Sequence, residues 1–282
     1  MVRRTISERL HSHIIRKQKT SVVELKMLDG HLSPIRNQEN VPSCSFIAPI
    51  ACIEVLYRMF DKKLTQEWNG LYYFDFNECY DNLYKELNNL DDAVKLAKGN
   101  DGGRIDDTLI YAMDRGLLAT TVFVEPRHMN HVAHFDKEAP RYHINGFKIL
   151  KKTEVLECLK KFPIIAQLRV SECFEKYKKA IYVLSDEEVG FDLINHAVLV
   201  VGSVITCKDG EAVVHLIIQN THGKKFGFKG FVLVPFDEKF TCFWLPLIYP
   251  HMQHVKYGKV ERERVKVYSR RKRKCIASSL ED

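Results

Sequence analysis

The sequence predicts an α+β fold, with a buried helix in the first half and a strongly twisted antiparallel sheet or half-barrel in the second. Two observations predict it. The apolar run that follows Cys44 sets Ile47, Ile50, Ala51, Val55 and Leu56 near helical spacing. Short apolar runs then crowd the second half, at 164–168, 197–205, 212–219, 231–234 and 243–248, punctuated by glycines and polar turns. The 282 residues can bury a full core, as one large domain or two lobes.

Taken in order, residues 1–21 read as a basic arm, either mobile or folded as a short helix from Ser7 to Arg16. Residues 22–26 read as a short strand. A buried helix is expected from Cys44 to about Met59. Pro49 lies awkwardly inside it, because proline removes one helix hydrogen bond and tends to kink the helix. Residues 62–96 are acidic and aromatic, with a helix expected over 78–90. The run 99–103, Gly-Asn-Asp-Gly-Gly, is a loop signal, and 106–115 reads as a helix capped by Gly116. Residues 126–141 are loop-like, and 153–161 should be the last helix before the strands. The domain reading is an arm (1–21), a body (22–255) and a tail (256–282).

Charge is unevenly spread. The net charge is +7, yet the arm carries +5 and the tail +6, which leaves the body at −4. A nucleic-acid-binding face on the body is therefore not expected, and any such role is confined to the ends. The cluster Arg270, Arg271, Lys272, Arg273 and Lys274 is a candidate nuclear signal. The start lacks the apolar core of a secretory leader, and no apolar run reaches the roughly 18 residues of a membrane span. A cytoplasmic or nuclear monomer without membrane contact is the expectation. The eight cysteines are scattered with no C-x-x-C pair, so reduced thiols are expected and no metal site. The series His128, His131, His134 has no acid or thiol placed to complete a metal site, and no glycine loop would cradle a phosphate cofactor.

Cys44 has a mechanism open to it. A thiol at a helix N-terminus meets unpaired N–H groups and the positive end of the helix dipole, which favour the thiolate. Gln38 stands six residues before it as a side-chain donor for an oxyanion. His196 opens an apolar strand at a sheet margin, and Asn220 ends another. Each residue alone has an ordinary structural reading. Together they stand in the order oxyanion donor, nucleophile, base and base-orienter.

At this point the sequence resembles the papain-like cysteine proteases. The motifs are Asn37-Gln38 through Ser43-Cys44, Asn195-His196-Ala197-Val198-Leu199-Val200-Val201-Gly202, and Gln219-Asn220-Thr221-His222-Gly223 through Phe231. Asn100-Asp101-Gly102-Gly103 is similar to the family's substrate-backbone loop, and Pro163 and the stretch from Phe174 to Tyr182 also fit. The resemblance covers roughly 25–250. It implies a two-lobed fold led by the nucleophile helix, with a helical lobe of about 40–140, a β lobe of about 141–255 and the active site in the cleft between them. It also implies a Cys44–His196–Asn220 triad with Gln38 as oxyanion donor, a cysteine-type endopeptidase activity and no cofactor. Gly102 and Gly103 would pair with the substrate backbone, while Ile105 and Ala197 would line an apolar pocket for the residue two before the cut. Partners would be peptide or protein substrates and protein inhibitors. His196 and Asn220 lie 152 and 176 residues after Cys44, beyond the roughly 130–150 usual for the family. An insertion near 62–98 and a longer turn around Cys207 to Gly210 fit the excess.

The departures are specific. Val41 and Asn100 stand where the family carries a bonded pair of cysteines. Pro42 replaces a glycine, Ser45 an aromatic, His222 the tryptophan that shields the Asn–His hydrogen bond, and Phe226 a second tryptophan. About 20 residues ahead of the first strand are too few for an inhibitory prodomain. Two rival readings follow: a papain-like module that binds protein without turning it over, and a nuclear or RNA-associated factor acting through its basic tails.

Overall fold

A seven-stranded antiparallel sheet organises the computed structural model, which describes residues 5–18, 21–38, 43–60, 73–74, 78–79, 82–83, 104–120, 141–182, 193–208, 210–237 and 239–248. Its strands are β1 (Ser21–Met27), β5 (Gly146–Ile149), β6 (Ile164–Val170), β7 (Ile194–Lys208), β8 (Glu211–Gln219), β9 (Phe231–Pro235) and β10 (Phe240–Leu247). They run in the order β5-β10-β6-β7-β8-β9, with β1 added against β7. Every expected strand of the second half is present, each lengthened at an end. The turn near Cys207 is an extended hairpin, paired down to Lys208 opposite Glu211. β1 crosses β7 so closely that a Cβ on Gly202 would meet the Lys26 carbonyl oxygen at 2.1 Å.

Helix α2 (Cys44–Phe60) packs on β7 and on α3 (Ile105–Asp114). It is buried almost all round, from Cys44 to Leu56, as a helix sandwiched between a sheet and other helices must be. Pro49 sits inside it. Proline has no N–H to give the Ser45 carbonyl four residues back. The Thr108 hydroxyl of α3 donates to that carbonyl at 3.0 Å, so the missing bond is replaced from outside the helix. A small antiparallel sheet joins β2 (Tyr73–Phe74), β3 (Leu117–Thr120) and β4 (Arg141–Tyr142). Helix α4 (Lys152–Leu159) precedes β6.

The arm is not free chain over residues 6–18. It folds as α1 (Ile6–Gln18), with Leu10 and Ile14 fully buried and the His13 ring 4.7 Å from Phe228. Thr5 and Glu8 form a reciprocal cap: the Thr5 N–H donates to the Glu8 carboxylate at 2.9 Å and the Glu8 N–H to the Thr5 hydroxyl at 3.2 Å. That box was readable as Thr-x-x-Glu.

Among the described residues the cysteines are free thiols, no His, Cys, Asp and Glu cluster is arranged to hold a metal, and no helix is long and apolar enough to cross a membrane. Val41, Pro42, Asn100, Gly102, Gly103, His128, His131, His134, the end of the helix expected over 78–90, and the basic tail lie outside the described residues.

Candidate active site

Three segments converge at the upper edge of α2. The first is α2 itself, whose opening turn is closed by the Phe46 and Ile47 N–H groups donating to the Ser43 carbonyl at 3.0 Å each. This sets Cys44 at the first helical position, buried to 8% exposure. The second is the start of β7, which carries His196. The third is the turn after β8, where the Asn220 N–H donates to the Gly230 carbonyl at 2.9 Å.

His196 Nε2 lies 2.7 Å from Asn220 Oδ1. An amide oxygen only accepts, so Nε2 is the protonated nitrogen and Nδ1 is left for the thiol. The ring is also held by its neighbours. His222 stacks on it at 5.0 Å with a 13° tilt, and Phe174 meets it edge-on at 5.7 Å. Phe174 in turn packs against Phe226 at 5.0 Å and Tyr182 at 4.8 Å. These aromatics bury the His196–Asn220 bond.

Gln38 is tied to the asparagine turn. Its N–H donates to the Thr221 carbonyl at 2.7 Å, and the Gly223 N–H donates to the Arg36 carbonyl at 3.0 Å, making a short antiparallel crossing with Asn37 opposite His222. The Thr221 hydroxyl donates to Gln38 Oε1. With that oxygen fixed, the side-chain NH2 of Gln38 is turned away from Thr221 as a positioned donor.

The charges fit a thiolate–imidazolium pair. Burial works to raise the Cys44 pKa. The His196 charge and hydrogen bond, with help from the Ala197 and Ser45 backbone, overcome it and hold the thiol below its ordinary value. Burial likewise works to lower the His196 pKa, and Cys44 and Asn220 carry it above the ordinary imidazole value. Each group shifts the other toward its charged form. His222 has no such partner: burial and the adjacent His196 push its pKa down to about 3, so it stays a neutral ring.

A cavity of about 190 Å³ opens beside Cys44 between the lobes, and Ile105 and Ala197 line it together with Asp106, Gln167 and Trp244. Cys44, His196 and Asn220 are thus brought together, Gln38 is fixed to the same turn, and Ile105 and Ala197 share the cavity wall. Sequence reasoning missed Thr221, Gln167 and Trp244. Thr221 could have been flagged as the neighbour of Asn220. Nothing local marks Gln167 or Trp244, because only the register of β6 and β10 turns them to the cleft.

The model of the papain family cysteine proteases matches residues 21–244. Falcipain-2b of Plasmodium falciparum (isolate 3D7) is 27% identical over 219 residues, 75% of this chain and 41% of the relative. Cathepsin 7 of Mus musculus is 24% identical over 221 residues, 76% of this chain and 60% of the relative. The chain therefore spans between about two-fifths and three-fifths of these relatives' lengths. Among solved structures, the bromelain protease of Ananas comosus in complex with the E64 inhibitor superposes with a TM-score of 0.55 at 16% identity, covering 78% of this chain and 95% of bromelain. Procathepsin L2 proteinase of Tenebrio molitor gives 0.55 at 17% identity, covering 78% of this chain and 65% of its own. At such identities the likeness is one of fold. The family model, spanning most of the chain, supplies the rest: this chain belongs to the papain family of cysteine proteases.

Proposed function

We propose that the chain is a cysteine peptidase that hydrolyses peptide bonds through Cys44, His196 and Asn220, with Gln38 as oxyanion donor. The observation that carries this is the buried His196–Asn220 bond of 2.7 Å, on the imidazole whose charge sustains the Cys44 thiolate. His196 Nδ1 takes the thiol proton, and the thiolate attacks the peptide carbonyl carbon. The developing oxyanion is received by the Cys44 backbone N–H and the Gln38 side-chain NH2. One such donor contributes about 3–4 kcal/mol to the transition state. The imidazolium then gives its proton to the departing amine, and water, deprotonated by His196, resolves the thioester. Asn220 keeps the ring aimed at sulfur throughout.

The test is alkylation of the purified protein by a peptidyl electrophile, with the adduct mapped by mass spectrometry. Selective modification of Cys44 near neutral pH, lost in His196→Ala, is expected. Modification spread across the cysteines and indifferent to His196→Ala would leave the non-catalytic binding module as the better reading.

A further inference from the structure

The cavity beside Cys44 is more polar than the apolar slot expected for the residue two before the cut. Its walls follow from strand register. Gln167 on β6 lies opposite Ala197 on β7, Arg169 lies opposite Asn195, and Trp244 on β10 lies opposite Ile165. Residues two apart on a strand share a face, so Gln167, Asn195, Ala197 and Trp244 arrive on the side that meets α3. From α3 come Ile105 and Asp106.

Two features limit what can enter. The Trp244 Nε1–H donates to Asp106 Oδ1 at 2.7 Å, a strut from the sheet to α3 between two residues that line the cavity. Arg104 Nη2 stands 3.5 Å from Asp106 Oδ2, so the two charges offset each other at the rim. A lysine entering would meet Arg104, and a carboxylate would meet Asp106. What remains unspent is amide: among the described residues, the side chains of Gln167 and Asn195 have no hydrogen-bond partner while facing the cavity. An apolar side chain would strip water from these amides and return nothing, whereas an amide or hydroxyl would exchange one hydrogen bond for another.

We infer that this pocket selects substrates presenting a short, uncharged hydrogen-bonding side chain two residues before the cut, read by Gln167 and limited in depth by the Trp244–Asp106 strut. The inference rests on the peptidase reading. It is tested by reacting the full chain with peptidyl vinyl sulfones that differ only at that residue: Leu, Asn, Thr, Lys or Glu. Each Cys44 rate is divided by the same protein's rate with iodoacetamide, which has no side chain to read.

The Asn and Thr reagents are expected to outpace Leu by roughly three- to tenfold, the worth of one net hydrogen bond. Gln167→Val reverses the order, and Trp244→Phe, which keeps a ring but frees Asp106 Oδ1, raises the relative rate of Lys. A lead for Leu, Lys or Glu in the unchanged protein overturns the inference, as does an order indifferent to Gln167→Val. Failure of every reagent, iodoacetamide included, to modify Cys44 selectively sinks the peptidase reading and this one with it. Selective modification without discrimination sinks the pocket alone.

Discussion

Helix α2 carries two buried titratable pairs, Cys44 with His196 at its start and Glu54 with Arg36 about three turns later. They differ in how they are enclosed. Glu54 is enclosed by donors: Arg36 gives two hydrogen bonds, at 2.5 and 3.0 Å, Ser33 gives one at 2.5 Å, and the Phe74 N–H gives one at 2.8 Å. Burial works to raise its pKa, but Arg36, Arg58 and Ser33 hold it below the ordinary carboxylate value. That pair is closed to solvent, and it joins α2 to the segment before Cys44 and to β2. The Cys44–His196 pair is closed on the Asn220 side and open to the cavity on the other. The closed pair ties elements of the fold to one another; on the proposed peptidase reading the open one acts on a substrate.

The largest effect should come from breaking the open pair. His196→Ala should lower kcat/KM on a peptide substrate by about 10⁴-fold or more and return Cys44 alkylation to the pH of an ordinary thiol. In the unchanged protein the lowered Cys44 pKa should let alkylation persist below the ordinary thiol range. An alkylation profile unmoved by the substitution would separate Cys44 from His196.

Breaking the closed pair should act on stability instead. Glu54→Ala leaves the Arg36 charge buried without its partner, which costs about 3–5 kcal/mol, read as a lower denaturant midpoint. Replacing both, as Arg36→Met with Glu54→Leu, should recover most of it. The pH sign follows from the depressed folded pKa of Glu54. Its stabilisation is full above the unfolded carboxylate value and is lost as pH falls through the folded one. A double variant as unstable as the single would show that the two residues are not coupled.

A smaller loss is expected at the tie between the two regions. Thr221→Val removes the hydroxyl that fixes Gln38 Oε1. It should lower kcat about tenfold, a fraction of what a whole oxyanion donor contributes, with little change in KM. An equal rise in KM would mean that Thr221 serves binding rather than the transition state.

The smallest effect on turnover belongs to His222, whose folded pKa of about 3 lies below that of a free imidazole. Between those two values the unfolded chain binds a proton that the folded one does not, so this group weakens the fold as pH falls from roughly 6.5 toward 3. His196 has the opposite sign: its raised pKa stabilises at low pH and is lost as pH rises through the folded value. His222→Trp keeps a stacking ring without a titrating nitrogen. It should flatten the acid side of the stability profile by up to a few kcal/mol while changing kcat/KM only a few-fold. An unchanged acid profile would place the sensitivity elsewhere.

Much of this was legible before the structure, for particular reasons. Long apolar runs such as 197–205 carry enough residues to declare a strand, and β7 and β8 appear where expected. The two-residue strands β2 and β4 carry too few for any alternation to register. Pro49 read as an anomaly because its remedy, the Thr108 hydroxyl, lies 63 residues from the carbonyl it satisfies. The arm read as mobile or helical, and its burial of Leu10 and Ile14 depends on a surface that exists only after the sheet has formed.

By itself the sequence singled out the candidate set, because Gln38, Cys44, His196 and Asn220 follow one another in an order that motifs reveal, and it placed the long helix ahead of the strands of the second half, because hydrophobic periodicity is local. Only the tertiary structure decided that His196 Nε2 faces Asn220 and that the His222 ring stacks on His196. It alone turned the wall of the cavity polar, through Gln167 and the Trp244–Asp106 strut. Hydrogen bonds between residues 138 positions apart, as Trp244 and Asp106 are, are set by strand register and lobe packing, and neither is written in any one stretch of the chain.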